Sequence, residues 1–326
     1  MRDVPEARLT TWTPPRYTVD ERGKVVGARP GEPNNWGRWG DDDQRGTANL
    51  LTPERVARAA ALVRRGERFP LGVPFGHGPI SAYRSPPLHL FGVTAGDGVL
   101  TGAPVQASDD YMVMALQAAT QLDGLGHVGA DHVLYNGFWV GLVTATTGAR
   151  RLGIHHLGEG IVGRGVLLDV AGHVGVDALE PGFAIGPDLL DATAAAQRVD
   201  VGAGDVLLVR TGHLGRWYAG DKEKVGKGSE PGLSVDTVGW LHEHDVAMVA
   251  ADNVAVEVNP AEPGRRWIDF HIAALRDLGL LLGELFDLDA LAADCAADGV
   301  YEGLFVAMPL PVVNGVGSPL NPVLIK

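Results

Sequence analysis

The chain of 326 residues carries 27 basic and 40 acidic side chains, which gives a formal net charge of −13. This charge argues against nucleic acid and anionic membranes as partners. The first residues lack the apolar stretch of a signal peptide, and no apolar run reaches the length of a membrane span, so we expect a cytoplasmic protein without membrane contact. The single cysteine, Cys295, excludes a disulfide within the chain, and its helical surroundings favour a structural thiol.

The N-terminal region, residues 1–33, is polar, rich in Pro and Arg, and weakly patterned. We expect an extended arm there, followed by a domain that spans residues 34–326. The loop that opens this domain places Trp36 and Trp39 among glycines and charged residues. An indole ring can line a ligand pocket and offer an N–H group, or it can clamp the arm to the body. The residues alone leave both interpretations open.

Local signals then predict a helix and an edge strand. Thr52 followed by Pro53 is the start signal of a helix. The prolines within residues 69–75 favour a strand at the edge of a sheet. His77 and His89 follow as isolated histidines, and such residues are more often structural than ligating.

The most informative stretch is residues 117–127, which follows an apolar run at 111–116 that predicts a buried strand. It combines two amides, a hydroxyl, a carboxylate and an imidazole, and its two glycines predict a bent backbone that turns these groups into a cleft. Asp123 and His127 in such a loop suit a metal site or an acid–base site. A carboxylate that caps the loop and a structural histidine explain the same residues equally well.

Downstream, apolar runs alternate with capped helical segments, which predicts an α/β fold. The predicted strands are residues 164–170, 204–213, 246–253, 280–284 and 300–311, and the predicted helices are residues 187–196, 234–244 and 271–279. A turn-rich closing loop is predicted at 315–322. His155 and His156 are adjacent, and in a strand their side chains would point to opposite faces.

Glu284 closes the apolar run 280–283. A carboxylate buried there without a partner would be costly, so this position predicts contact with a cation, a metal ion or a proton. A simple salt bridge is the alternative for Glu284, and a helix-start role is the alternative for His271.

The stretch 117–127 resembles the signature loop of the cyclase family, whose members include bacterial kynurenine formamidase and isatin hydrolase. That signature reads His-x-Gly-Thr-His-x-Asp-x-x-x-His. Thr120, Asp123 and His127 match its conserved positions, and the resemblance extends over roughly residues 30–322.

The chain also departs from this signature. Gln117 and Gln121 stand where the family has its first two histidines, which are metal ligands there, and Ala119 replaces the glycine. If another side chain takes over a lost ligand position, His89 is the candidate.

The resemblance implies that Asp123, His271 and Glu284 bind one divalent cation, zinc or manganese, with an open position for water. His127 would act as the general base and then as the acid that protonates the leaving group. The carbonyl of Gln121 would ligate weakly or orient the substrate.

The resemblance further implies a single α/β domain with a mixed central sheet flanked by helices, assembled as a homodimer or homotetramer. The implied reaction is hydrolysis of an amide, or of a small cyclic amide, imide or lactone, and the partner is a small-molecule substrate. A tryptophan near the N-terminus contacts substrate in the family. The predicted substrate-binding residues are Trp36, Trp39, Gln117, Thr120, Tyr135 and Asn136.

The same residues are also compatible with two other functions. A metal-free lyase or cyclase could use Asp123 and His127 as acid and base, and its activity would survive chelation. A non-catalytic binder on an enzyme fold would bind a small molecule without turnover, and the loss of two ligand histidines is the argument for it.

Overall fold

The computed structural model describes residues 15–78, 84–222, 225 and 228–326. The strands within these residues are β1 (Arg68–Pro70), β2 (Leu88–Val93), β3 (Asp109–Val113), β4 (Gln121–Asp123), β5 (Val143–Thr144), β6 (Gly148–Ala149), β7 (Ile161–Asp169), β8 (Ala184–Ile185), β9 (Val206–Arg210), β10 (Gly232–Leu233), β11 (Met248–Ala251), β12 (Leu281–Glu284), β13 (Glu302–Ala307), β14 (Gly317–Pro319) and β15 (Val323–Ile325).

The α-helices within the same ranges are α1 (Pro53–Ala60), α2 (Ala95–Leu100), α3 (Val170–Val174), α4 (Pro187–Gln197), α5 (His213–Tyr218), α6 (Thr237–Glu243), α7 (Asp269–His271) and α8 (Asp289–Asp298). A π-helical segment, Ile272–Leu278, continues α7. Short 3-10 helices cover Gly46–Leu50, Tyr135–Gly137, Val140–Leu142 and Ile154–Leu157. None of these helices combines the length and the apolar character needed to cross a membrane.

One large mixed sheet dominates the fold, with the strand order β1-β15-β13-β7-β9-β11-β12-β4-β14. Its centre is parallel, from β7 through β9 and β11 to β12, and both flanks are antiparallel. The parallel strands are mostly apolar, as expected for a parallel sheet covered on both faces, and β7, β9 and β12 end in Asp169, Arg210 and Glu284. The expected α/β domain with a mixed central sheet is confirmed.

Most predicted elements are present where the pattern placed them. The Thr52 hydroxyl accepts the Arg55 N–H and caps α1. The predicted edge strand is β1, which lies at one edge of the large sheet. The predicted helix near His271 ends at Gly279, whose φ of +61° is a left-handed conformation that glycine adopts at low cost. Cys295 is buried in α8, and burial raises the pKa of its thiol to about 11, as expected for a structural residue.

Three local predictions are wrong. The apolar run 111–116 is not a buried strand, since β3 is exposed along its whole length and, among the described strands, pairs with the equally exposed β2. The predicted loop 315–322 contains β14, which extends the large sheet. His155 and His156 lie in a 3-10 helix, and their ring centroids are 4.3 Å apart, so the two side chains do not diverge as they would in a strand.

The predicted extended arm at residues 1–33 stays a prediction, because residues 1–14 lie outside the described part of the chain. From residue 15 onward the chain runs beside the body. The Val25 N–H donates to the Gly137 carbonyl, and Lys24 forms a β-bridge with Phe138.

Candidate metal centre

The centre is built on the antiparallel pair β4 and β12. Gln121 lies directly opposite Glu284 in this ladder, and Asp123 lies opposite Leu282. Side chains two positions apart share a face of a strand, and directly opposed residues share it across the ladder. The register therefore places Gln121, Asp123 and Glu284 on one face of the sheet.

His271 reaches this face from the helix that precedes β12. Its Nε2 atom lies 3.3 Å from Glu284 Oε1 and 3.7 Å from Asp123 Oδ2. One ligand atom from each of Asp123, His271 and Glu284 lies within 4.8 Å of the other two, and all three residues are buried. The structure thus brings together the three side chains that the sequence analysis placed around one ion.

A fourth buried residue, Glu257, completes the arrangement and was missed by the sequence analysis. Its Oε1 atom hydrogen-bonds to His271 Nδ1, and its Oε2 atom accepts the Phe270 N–H at 3.3 Å. Glu257 lies in an irregular segment after β11, between two apolar residues. The only local signal was an acid flanked by valines, which indicates burial but does not identify a partner.

Several buried polar atoms at the centre have no hydrogen-bond partner within the described residues. They are both carboxylate oxygens of Asp123, the Oε1 atom of Gln121 and the Nε2 atom of Gln117. Gln121 does use its amide group, which donates from Nε2 to Glu284 Oε2. Buried polar groups are normally paired, so such a concentration of unpaired atoms indicates a binding site.

The two carboxylates at the centre oppose each other's ionisation. Burial and the nearby Asp123 carboxylate raise the pKa of Glu284 to about 8. Burial also disfavours the charged form of Asp123, but the imidazoles of His127 and His271 outweigh it and lower the pKa of that carboxyl. Burial disfavours the imidazolium of His271, yet its contacts with Asp123, Glu257 and Glu284 raise its pKa well above the ordinary value. The two carboxylates therefore favour a positively charged group between them.

These residues fit a divalent cation. Imidazole nitrogen and carboxylate oxygen are the donor types that zinc and manganese accept. Atoms that bind one tetrahedral ion at about 2.0 Å lie roughly 3.3 Å apart, close to the separations of His271 Nε2 from the two carboxylates. A histidine ligand commonly donates its other ring N–H to a carboxylate, and Glu257 is placed to accept it.

His127 borders the centre from its more exposed side. Its Nε2 atom lies 3.8 Å from Asp123 Oδ1, and its side chain is 20 % exposed whereas that of Asp123 is 0 % exposed. The backbone turns here because the His127 N–H donates to the Gly124 carbonyl. The predicted acid–base residue thus has access to both the carboxylate and solvent.

Three of the predicted substrate-binding residues make structural hydrogen bonds. The Thr120 hydroxyl donates to the Leu285 carbonyl and accepts the Val73 N–H. Tyr135 and Asn136 are buried and hold the loop around residues 37–43 through hydrogen bonds. These hydrogen bonds favour structural roles for the three side chains, and their contact with substrate stays a prediction.

The other predicted substrate-binding residues, Trp36, Trp39 and Gln117, lie in different surroundings. The indole N–H of Trp36 donates to the Arg276 carbonyl at 2.6 Å, which favours the clamping alternative for this residue. The guanidinium of Arg38 lies 4.9 Å from the ring centroid of Trp39. Gly317 lies directly opposite Asp123 in the pairing of β14 with β4. A Cβ atom at Gly317 would come within 2.5 Å of Gln117 Nε2, which places this amide beside the centre. Only a glycine on β14 leaves room for this amide.

His89 lies on the exposed strand β2, and its Nε2 atom contacts Asp110 Oδ2 of β3 at 2.5 Å. Within the described part of the chain, it is not one of the side chains whose ligand atoms cluster at the centre. Its role as a substitute ligand stays a prediction.

Comparison with known proteins agrees with this architecture. A family model described as “Putative cyclase” matches residues 43–258. The chain is 40 % identical to a crystal structure described as a novel cyclase, with a TM-score of 0.84 over 90 % of this chain and 99 % of that one. No protein of curated function matches the sequence.

Two isatin hydrolases share the fold at lower identity. One, bound to the product analogue thioisatinate, is 18 % identical with a TM-score of 0.56, covering 79 % of this chain and 91 % of the other. Isatin hydrolase A from Ralstonia solanacearum is also 18 % identical, with a TM-score of 0.62 over 84 % of this chain and 98 % of the other. The family match and the 40 % identical structure show that the chain belongs to the cyclase family.

Proposed function

We propose that this protein is a metal-dependent hydrolase that cleaves an amide, or opens a small cyclic amide, imide or lactone. The observation that carries the proposal is the buried cluster of Asp123, His271 and Glu284, in which both oxygens of Asp123 lack a hydrogen-bond partner among the described residues. The isatin hydrolases that share the fold act on a cyclic amide by their names, and this supports the substrate class.

Asp123, His271 and Glu284 would hold one divalent cation, zinc or manganese. When bound, such an ion would lower the pKa of a water molecule to near neutrality and polarise the bond under attack. Glu257 would keep the proton of His271 on Nδ1, which leaves the lone pair of Nε2 facing the two carboxylates.

His127 would move the protons of the reaction. Its Nε2 atom would take one proton from the attacking water and return it to the leaving nitrogen or oxygen, so that hydrolysis yields an amine or alcohol and a carboxylic acid, which releases the second proton to solvent. Its partial exposure beside Asp123 allows contact with both the centre and a bound substrate. The amide N–H of Gln117, which has no partner in the described part of the chain, would donate a hydrogen bond to the substrate carbonyl oxygen.

The replacement of two histidine ligands by glutamine favours one ion over two. The carbonyl oxygen of Gln121 has no hydrogen-bond partner among the described residues, but its amide nitrogen donates to Glu284. Neutral amide oxygens are weak ligands for zinc compared with imidazole. We therefore assign Gln121 to holding Glu284 and orienting substrate, with at most a weak ligand contact.

Metal analysis combined with a substrate panel tests the proposal. Protein prepared without added metal would be loaded with zinc or manganese, and we expect one ion per chain and hydrolysis of isatin or another cyclic amide that a chelator abolishes. The Asp123→Asn variant should lose both properties, and Asp188→Asn, the same change on the exposed face of α4, should lose neither.

The two alternatives give different results in the same assay. Turnover that persists after complete metal removal would establish metal-free acid–base chemistry by Asp123 and His127. Saturable binding of the cyclic compounds without any turnover would establish a binding protein. Either result overturns the hydrolase proposal.

A further inference from the structure

Two amide groups at the centre offer complementary hydrogen-bonding atoms. The Nε2 atom of Gln117 is a donor and the Oε1 atom of Gln121 is an acceptor, and both atoms are buried without a partner among the described residues. A donor or an acceptor buried in this way is costly to the folded protein. The two atoms together therefore indicate a ligand that offers one acceptor and one donor.

The sheet places both amides on the face that carries Asp123. Gln121 and Asp123 are two positions apart on β4, so their side chains share a face and start roughly 6.6 Å apart. Gly317 of β14 lies directly opposite Asp123, and a Cβ atom there would come within 2.5 Å of Gln117 Nε2. The donor thus lies beside Asp123 on the β14 side, and the acceptor lies one side-chain step along β4.

The protein itself does not complete these two hydrogen bonds. The Nε2 atom of Gln121 donates to Glu284 Oε2 on β12, which turns Oε1 away from that carboxylate. On the other side of β4, Gly317 and Pro319 of β14 lie opposite Asp123 and Gln121. Neither of these two residues has a polar side chain. The donor and the acceptor therefore remain available to a bound molecule.

A cyclic amide or imide presents the complementary edge. Its ring holds the amide bond cis, so the N–H and the C=O lie side by side on one edge of the molecule. An open-chain secondary amide is trans and carries the two groups on opposite edges. A lactone has the carbonyl but no N–H, and a ring alkylated on nitrogen also lacks the donor.

We propose that Gln117 and Gln121 select cyclic amides and imides that carry a free N–H. Gln117 Nε2 donates to the ring carbonyl, and Gln121 Oε1 accepts the adjacent ring N–H. This proposal rests on the function proposed above and narrows its substrate class. Both glutamines replace histidines of the signature, so the selection does not follow from the signature itself.

Two pairs of compounds test the selection, isatin with N-methylisatin and succinimide with N-methylsuccinimide. Both members of a pair have the same carbonyl groups, and only the first has the ring N–H. For the zinc-loaded protein we expect kcat/KM to be about 10–100-fold higher for the N–H compound, because the methylated compound leaves Gln121 Oε1 unpaired. Calorimetric binding to the metal-free protein should show a preference in the same direction, and this measurement needs no turnover.

Substitution of each glutamine separates the two hydrogen bonds. Gln121→Met keeps the side-chain length but removes the acceptor, so we expect the ratio between the members of a pair to fall close to 1. Gln117→Met should lower both members by the same factor, because both keep the carbonyl. The matched control is Gln106→Met on an exposed segment, which should leave the ratio unchanged. Metal analysis establishes that the variants carry the same amount of zinc.

The possible results distinguish this selection from the hydrolase function. Equal turnover of both members of each pair would overturn the selection and leave the hydrolase in place. A binding preference for the N–H compounds without turnover would support the selection and overturn the hydrolase. A ratio that persists in Gln121→Met would show that bulk at the nitrogen excludes the methylated compounds, and this would overturn the assigned role of Gln121. The selection would also be overturned if none of the four compounds were bound or cleaved.

Discussion

Glu257 binds the Nδ1 atom of His271 on the side of the ring that faces away from Asp123 and Glu284. The ring can present a lone pair to the carboxylates only if its proton stays on Nδ1, and Glu257 fixes that proton there. Glu257 lies outside the cluster of Asp123, His271 and Glu284, and it thus controls the orientation of the His271 ring.

Replacement of this carboxylate should weaken metal binding without removing it. We expect Glu257→Gln to lower the zinc affinity by about 10–100-fold, the range observed for partners of ligating histidines. Competition with a chromogenic chelator measures the affinity directly. Glu243→Gln, the same change on an exposed acid at the end of α6, should bind zinc like the unmodified protein. Equal affinity in the Glu257 variant would contradict the assigned role.

The carboxylate of Asp123 should be required for the stabilisation that zinc confers. Without a cation, the imidazoles of His127 and His271 favour its charged form, so Asp123→Asn should make the metal-free protein no more stable than the unmodified chain. Ligand binding to the native state raises stability with ligand concentration. We expect zinc to raise the Tm of the unmodified protein and to leave that of the variant unchanged. A zinc-dependent rise in Asp123→Asn would remove Asp123 from the ligand set.

His127 should affect turnover far more than metal binding. Its Nε2 atom is 3.8 Å from Asp123, and loss of a positioned acid–base group costs about 100–10,000-fold in rate. We therefore expect His127→Asn to lose this much in kcat while its metal content stays at one ion per chain. His132→Asn, at a nearby exposed position, should keep near-normal kcat. Loss of the ion together with activity would mean that His127 is itself a ligand.

His213 predicts a stability effect at acid pH. It is buried, both ring nitrogens lack a hydrogen-bond partner among the described residues, and burial lowers its pKa to about 4. The unfolded chain takes up a proton near pH 6.5 and the folded chain does not, so stability is lost as the pH falls from 6.5 towards 4. The full loss is about 3 kcal/mol, at 1.36 kcal/mol for each pH unit.

The variant His213→Leu should remove this loss and should equal or exceed the unmodified protein in stability at neutral pH, because it also removes unpaired buried nitrogens. Chemical unfolding at several pH values measures it, with His173→Leu on the surface as control. Asp252 has the opposite effect on the pH dependence of stability. Burial raises its pKa to about 6, so the folded protein loses stability as the pH rises towards 6. The difference between variant and unmodified protein therefore isolates His213. An unchanged pH profile would contradict the prediction.

Local pattern indicated two of the candidate ligands, since Glu284 closes an apolar strand and Asp123 precedes a glycine-bent loop. The grouping of Asp123, His271 and Glu284 around one ion followed from the resemblance to the cyclase family. Glu257 was not found, because its significance comes from a helix 14 positions away that folds back onto it. Tyr135 and Asn136 are near the signature in sequence, but their side chains point to the loop around residues 37–43.

The apolar run at 111–116 shows a different limit of prediction from the sequence. Its hydrophobic pattern predicted a buried strand, but pattern alone does not fix how a segment packs. The residues of β3 are instead exposed on a two-stranded ribbon with β2.

The opposition of Gln121 and Glu284 across β4 and β12 has a consequence for how the protein matures. A slip of β4 by one position would turn Asp123 and Gln121 to the far side of the sheet and leave Glu284 alone, although the strand could still pair. Newly synthesised chains with that error would keep most of their secondary structure and yet retain no ion. Tight zinc or manganese uptake would thus distinguish correctly assembled molecules from near-native misfolded ones.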